Sequence, residues 1–115
     1  MRRFTFITGL VAIAAALALP RLAPAGTGSS TLVGTDGPGF TITMSKKSVK
    51  AGTYTIIVHD RSNIHNFHLT GRGVNKLTSI PRVYTTRWTV RLKKGTYKFQ
   101  CDPHASIMKG TLKVT

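Results

Sequence analysis

The sequence predicts an all-β domain, an antiparallel sandwich or small barrel whose strands each show one wet face. Two patterns and one absence carry this expectation. Apolar residues recur at every second position through most of the chain after residue 39, the period of a half-buried strand. Turn-forming clusters separate these runs at short intervals. No stretch after residue 25 combines a 3.6-residue period with helix caps.

The elements follow in order. Met1-Arg2-Arg3 is a short positive start, and Phe4 to Leu19 is uncharged and mostly apolar. Pro20, Arg21 and the small-x-small triplet Ala23-Pro24-Ala25 come next. This is the layout of a secretory signal peptide over residues 1–25, so an exported protein is expected: periplasmic, cell-surface or secreted. The apolar run is 16 residues long, short of the roughly 20 that a spanning helix needs. Residues 26–38 are rich in Gly, Ser and Thr, carry Pro38 and little apolar content, and read as a flexible lead-in. The folded domain is expected over 39–115.

Within it, Phe40, Ile42 and Met44 alternate with threonines, and Tyr54 to Val58 is rich in strand formers. His65, Phe67 and Leu69 alternate with Asn66, His68 and Thr70. Trp88, Val90 and Leu92 form the next such run, then Tyr97, Phe99 and Cys101, then Leu112 and Val114. The breaks fall at Lys50-Ala51-Gly52, Asp60-Arg61-Ser62-Asn63, Gly71-Arg72-Gly73 and Lys93-Lys94-Gly95.

Composition bounds the function. At 115 residues with a single cysteine, the chain is too short for a multidomain enzyme and has neither an intrachain disulfide framework nor a multi-cysteine zinc site. It carries 17 Lys+Arg against 3 Asp+Glu, a formal charge of +14, and loss of Arg2, Arg3 and Arg21 with the leader would leave +11. Such a charge invites a nucleic-acid reading. Export and the lack of a recognised nucleic-acid motif oppose it, so no nucleic-acid partner is expected. The basic surface suits an acidic redox partner or an anionic cell surface, and a monomer is expected.

The sole cysteine has telling neighbours: Tyr97-Lys98-Phe99-Gln100-Cys101-Asp102-Pro103-His104-Ala105-Ser106-Ile107-Met108. A thiolate, an imidazole and a thioether lie within eight residues. Pro103 forces the chain into a loop that can bring His104 and Met108 back toward the sulfur. Soft sulfur donors with imidazole favour copper, and two His, one Cys and a weak axial Met make the blue-copper electron-transfer set. That set needs one more histidine. His65 shares strand parity with Phe67 and Leu69, whereas His68 falls on the opposite face and reads as a surface residue.

The C-x₂-H-x₃-M loop after Tyr-x-Phe-x-Cys, with the upstream His65-Asn66 pair, resembles the cupredoxins of the plastocyanin and azurin kind. The resemblance spans about residues 40–115 and implies an antiparallel Greek-key β-sandwich holding one copper ion. It implies His65, Cys101 and His104 as equatorial ligands, Met108 as the axial one, and Asn66 as a residue that hydrogen-bonds the ligand region. The function implied is an exported electron carrier cycling Cu(I) and Cu(II), not an enzyme. Four histidines leave no ligands for a second copper cluster. A copper chaperone or buffer using the same donors is the alternative, and a metal-free interaction module on the same fold comes third.

Overall fold

The computed structural model describes residues 12–18 and 30–115. Residues 12–18 are exposed and without regular structure. The remainder of the expected signal segment, with Ala23-Pro24-Ala25, lies outside the described residues. Among the described residues no helix is long and apolar enough to cross a membrane.

The chain forms β1 (Thr31–Asp36), β2 (Ile42–Met44), β3 (Ser48–Val49), β4 (Gly52–Asp60), β5 (His68–Gly71), β6 (Val74–Leu77), β7 (Tyr84–Leu92), β8 (Gly95–Gln100) and β9 (Lys109–Val114). They build two sheets, ordered β2-β1-β4-β7 and β3-β9-β8-β5-β6. The two long alternating segments, β4 and β7, pair antiparallel along their whole length, from Gly52↔Leu92 to Asp60↔Tyr84. Alternation leaves each sheet with one apolar face, and the two faces pack together. Leu32, Ile56, Val58, Val90 and Leu92 meet Leu69, Tyr97, Phe99, Leu112 and Val114 in a single core. The Tyr97 hydroxyl inside that core is satisfied twice. It donates to the Arg72 carbonyl at 3.0 Å and accepts from the Lys93 amide at 2.9 Å.

The structure corrects the sequence reading at three places. Residues 31–36 are not part of a flexible lead-in: β1 lies inside its sheet, between β2 and β4. Its inward positions are Leu32, Gly34 and Asp36, so only one of three is a side chain that announces burial. Gly34 is small because Phe67 stands against it; an added Cβ would lie 2.7 Å from the ring. Second, the sheets are not wholly antiparallel. β1 runs parallel to β4 and β3 runs parallel to β9. Both pairings join strands far apart in sequence, through connections long enough to reverse direction, and alternation reports a strand's face, not its direction. Third, β5 starts at His68, later than the alternation placed it. Phe67 leaves strand pairing and bonds Thr78 instead, its amide donating to Thr78 Oγ1 at 2.8 Å and its carbonyl accepting from the Thr78 amide at 3.0 Å.

Leu32 tests the first correction. Leu32→Ala removes a fully buried side chain and should lower stability by about 2–5 kcal/mol, read as a shifted denaturant midpoint. A residue in a flexible lead-in would leave the midpoint where it was.

Candidate metal centre

Two chain segments meet at one end of the sandwich. The first is the stretch between β4 and β5, where Ser62, His65, Asn66 and Phe67 are all buried. The second follows β8, where the chain turns through a single 3-10 turn at Asp102–His104, with Pro103 in its first positions. Proline suits the start of such a turn because it has no amide to leave unpaired. The loop closes on itself. His104 N donates to the Cys101 carbonyl at 3.1 Å, Met108 N to the His104 carbonyl at 2.8 Å, and Cys101 N to the Met108 carbonyl at 3.0 Å. Cys101 and Met108 are fully buried, and His104 is half-buried.

Asn66 clasps the two segments. Its Nδ2 donates to Asp102 Oδ2 at 2.9 Å, and its Oδ1 accepts the Asp102 amide at 2.8 Å. Three donor atoms then face one another. His65 Nδ1 lies 3.0 Å from His104 Nδ1, and Cys101 Sγ lies 3.7 Å from the first and 3.5 Å from the second. Among the described residues, His65, Cys101 and His104 are the one group of three or more potential metal-binding His, Cys, Asp or Glu side chains. Two imidazole nitrogens this close can bond each other only if one is protonated. A cation among the three atoms instead uses both nitrogen lone pairs and the sulfur. A point equidistant from the three lies about 2 Å from each, the length of a metal–imidazole bond.

Phe40 completes the site, and sequence reasoning missed it. It reads as the first apolar residue of a strand, but β2 begins at Ile42. Its ring packs edge-on against both imidazoles, 5.0 Å from each centroid. Gly37 leads the chain there from β1 with φ of 70°, a conformation that favours glycine.

His68 stays apart from this group. Its Nδ1 donates to Asp102 Oδ1 at 2.8 Å and its Nε2 to Asn75 Oδ1 at 2.6 Å. Strand parity does not separate His65 from His68, since His65, Asn66 and Phe67 are buried in succession outside any strand. The two histidines part because Asn66 and Asp102 intervene between their environments. Partial burial disfavours the charged form of His68, but the bonds to Asn75 and Asp102 and the Asp102 charge outweigh it and raise its pKa above the usual 6.5. Burial likewise acts to raise the Asp102 carboxyl, yet hydrogen bonds from Gln100, Asn66 and His68 and the His68 charge hold it below the usual carboxylate value.

The chain matches the family model for copper binding proteins of the plastocyanin/azurin family over residues 29–115. It is a cupredoxin. Solved structures agree on the fold. Reduced rusticyanin is 22% identical with a TM-score of 0.57, covering 74% of this chain and 78% of its own. A second reduced rusticyanin structure, from NMR, is 20% identical with a TM-score of 0.57, covering 77% and 83%. Auracyanin A, described as a blue copper protein from the green thermophilic photosynthetic bacterium Chloroflexus aurantiacus, is 20% identical with a TM-score of 0.50, covering 74% of this chain and 98% of its own. A search of curated proteins finds no match. Family and donor chemistry agree: a buried cysteine sulfur beside two imidazoles fits one copper ion.

The His68 pair gives a signed pH dependence. A raised folded pKa means stability that is full below about pH 6.5 and lost as pH rises through the folded value. His68→Ala should therefore destabilise the metal-free protein more at pH 5.5 than at pH 9, by under about 1 kcal/mol for so exposed a pair. Thermal melts of both proteins across that range check it.

Proposed function

We propose that this cupredoxin is an exported, single-copper electron carrier and not an enzyme. The triangle of His65 Nδ1, His104 Nδ1 and Cys101 Sγ carries the reading. A bound copper ion supplies one-electron chemistry by cycling between Cu(I) and Cu(II). His65, His104 and the Cys101 thiolate would hold it, with Met108, tied to Cys101 through its backbone, as the further sulfur donor. Loops bonded to one another would hold the donors in one arrangement, which suits electron transfer without ligand exchange. The same burial disfavours the copper-handling alternative, because handing over the metal needs an approachable thiolate, and Cys101 is fully buried. Electrons would enter at the half-buried His104, beside the exposed apolar side chains of Phe40 and Ile107, 55% and 64% accessible.

The charge distribution supports an acidic protein partner. Asp36 and Asp60 are buried, and Asp102 is engaged by His68. The His68–Asp102 contact is the one ion pair among the described residues, so the lysines and arginines there face solvent without acidic partners. Export rests on the leader-like first 25 residues, a monomeric state on the small domain. Association with an anionic cell surface draws on the same positive charge.

Adding Cu(II) to residues 26–115 should produce an intense visible thiolate-to-copper band. Cys101→Ser should abolish it, while Met108→Leu should keep the colour and raise the midpoint potential. A colourless stoichiometric complex would overturn the blue-copper reading.

Electron exchange with an acidic partner protein should slow as salt rises, because exposed charges are screened over about 8 Å at physiological ionic strength. Stopped-flow rates that ignore salt would remove the basic docking surface.

A further inference from the structure

We propose that Asp36 and Asp60 form a one-proton site that fixes the His65 loop and takes up a proton when the copper centre is reduced. The inference rests on the copper reading above for its second half only. The two carboxyls stand opposite each other in the parallel register of β1 and β4, and they are 0% and 2% accessible. Neither oxygen of Asp36 has a hydrogen-bond partner, nor does Oδ2 of Asp60. Two buried carboxylates side by side repel each other and lack water to screen them. Carboxylates only accept, so a bond between them requires a proton on one. A shared proton removes one charge and supplies that bond.

The electrostatics agree with the geometry. Burial, then the bond to Asp60 that a shared proton makes, and the Asp60 charge, push the Asp36 carboxyl up to about 7. Among the described residues, the titratable or charged groups on neighbouring elements are Asp60 on β4, Tyr84 opposite it on β7, and Arg61 and His65 after β4. β2 places uncharged Ile42 opposite Asp36. His59, next to Asp60, is directed elsewhere and bonds Thr85.

The pair is also built into the ligand loop. Arg61 N donates to the Asp36 carbonyl at 3.0 Å, Ser62 N to Asp60 Oδ1 at 3.3 Å, and Ile64 N to Ser62 Oγ at 3.2 Å. His65 is the next residue. Gly37, next to Asp36, packs so close that an added Cβ would lie 3.5 Å from His65 Cδ2 and 2.9 Å from Ser62 Cβ. The proton site and the metal ligand are therefore separated by one glycine and one short loop, in a low-dielectric interior where charges interact strongly. When the site gains one electron from a donor protein, the ionised pair gains one proton from water, and the net charge of the region is unchanged.

Asp-selective ¹³C carboxyl NMR of the metal-free protein tests the first half. One aspartate should titrate near pH 7 and vanish in Asp36→Asn; a spectrum with every carboxyl titrating below about pH 5 overturns the proton site, whatever copper does. For the second half, the midpoint potential of the copper-loaded protein should fall as pH rises through 7, and that fall should be lost in Asp36→Asn with the colour retained. Equal pH slopes in the two proteins overturn the coupling. If Asp36→Asn does not fold, the wild-type carboxyl is titrated with Zn(II) and with Cu(I) bound. A lower midpoint beside the divalent ion supports coupling, and identical midpoints defeat it. A failed blue-copper reading would show as a missing visible band and leave the metal-free titration untouched.

Discussion

The two-point clasp between Asn66 and Asp102 is the interaction on which the metal centre depends. One ligand lies between β4 and β5 and the other two follow β8, 36 residues or more further on. Backbone pairing of β5 with β8 sets their rough proximity, from Thr70↔Lys98 to His68↔Gln100. It ends one residue short of Cys101. Beyond that point Asn66 takes over, bonding both the side chain and the amide of Asp102. A buried amide with both ends engaged leaves little freedom to either loop. Three donor atoms that would otherwise repel are thereby held 3.0–3.7 Å apart, and the energy of metal binding need not be spent on gathering them.

The scarce acidic residues have internal roles. Asp102 anchors the clasp and draws in His68 and Gln100, and Asp36 and Asp60 face each other at the base of the His65 loop. Among the described residues, none is used to neutralise a surface lysine or arginine. The same three residues therefore organise the site and leave the exterior strongly positive. A single-sign surface raises encounter rates with oppositely charged partners over distances set by the Debye length. Structure and electrostatics at this centre share one cause, the placement of three carboxylates.

β1 links the fold to the site. Its inward positions hold one leucine, one glycine and one aspartate. Leu32 joins the core, Gly34 makes room for Phe67, and Asp36 meets Asp60. Phe67 in turn stacks on Phe99, with centroids 5.6 Å apart and an interplanar angle of 7°. A ring packed this way, two residues after His65, fixes the start of the loop that carries the ligand. Gly37 and Pro38 then deliver Phe40 over both imidazoles. A segment that looks like a linker in composition is a structural support for the metal centre.

The β-sandwich and the Cys101-to-Met108 loop were legible in the sequence for a shared reason: both are local patterns. Alternation records which face of a strand is buried, and a thiolate, a proline, an imidazole and a thioether within eight residues record their own chemistry. What lay beyond reach depends on contacts between distant segments. The strand at Thr31–Asp36 escapes notice because two of its inward residues are a glycine and an acid, whose burial is set by Phe67 and Asp60 rather than by hydrophobicity. Phe40 looks like strand filling until the turn at Gly37 carries it to the ligands. His65 and His68 differ by their partners, not by strand parity. The sequence by itself determined the donor types, the strand faces and the sign of the surface charge, because each is a property of single residues or near neighbours. Only the tertiary structure decided strand direction, the Asn66 clasp and the pairing of two carboxyls, because each needs atoms from separate segments to occupy the same few ångströms.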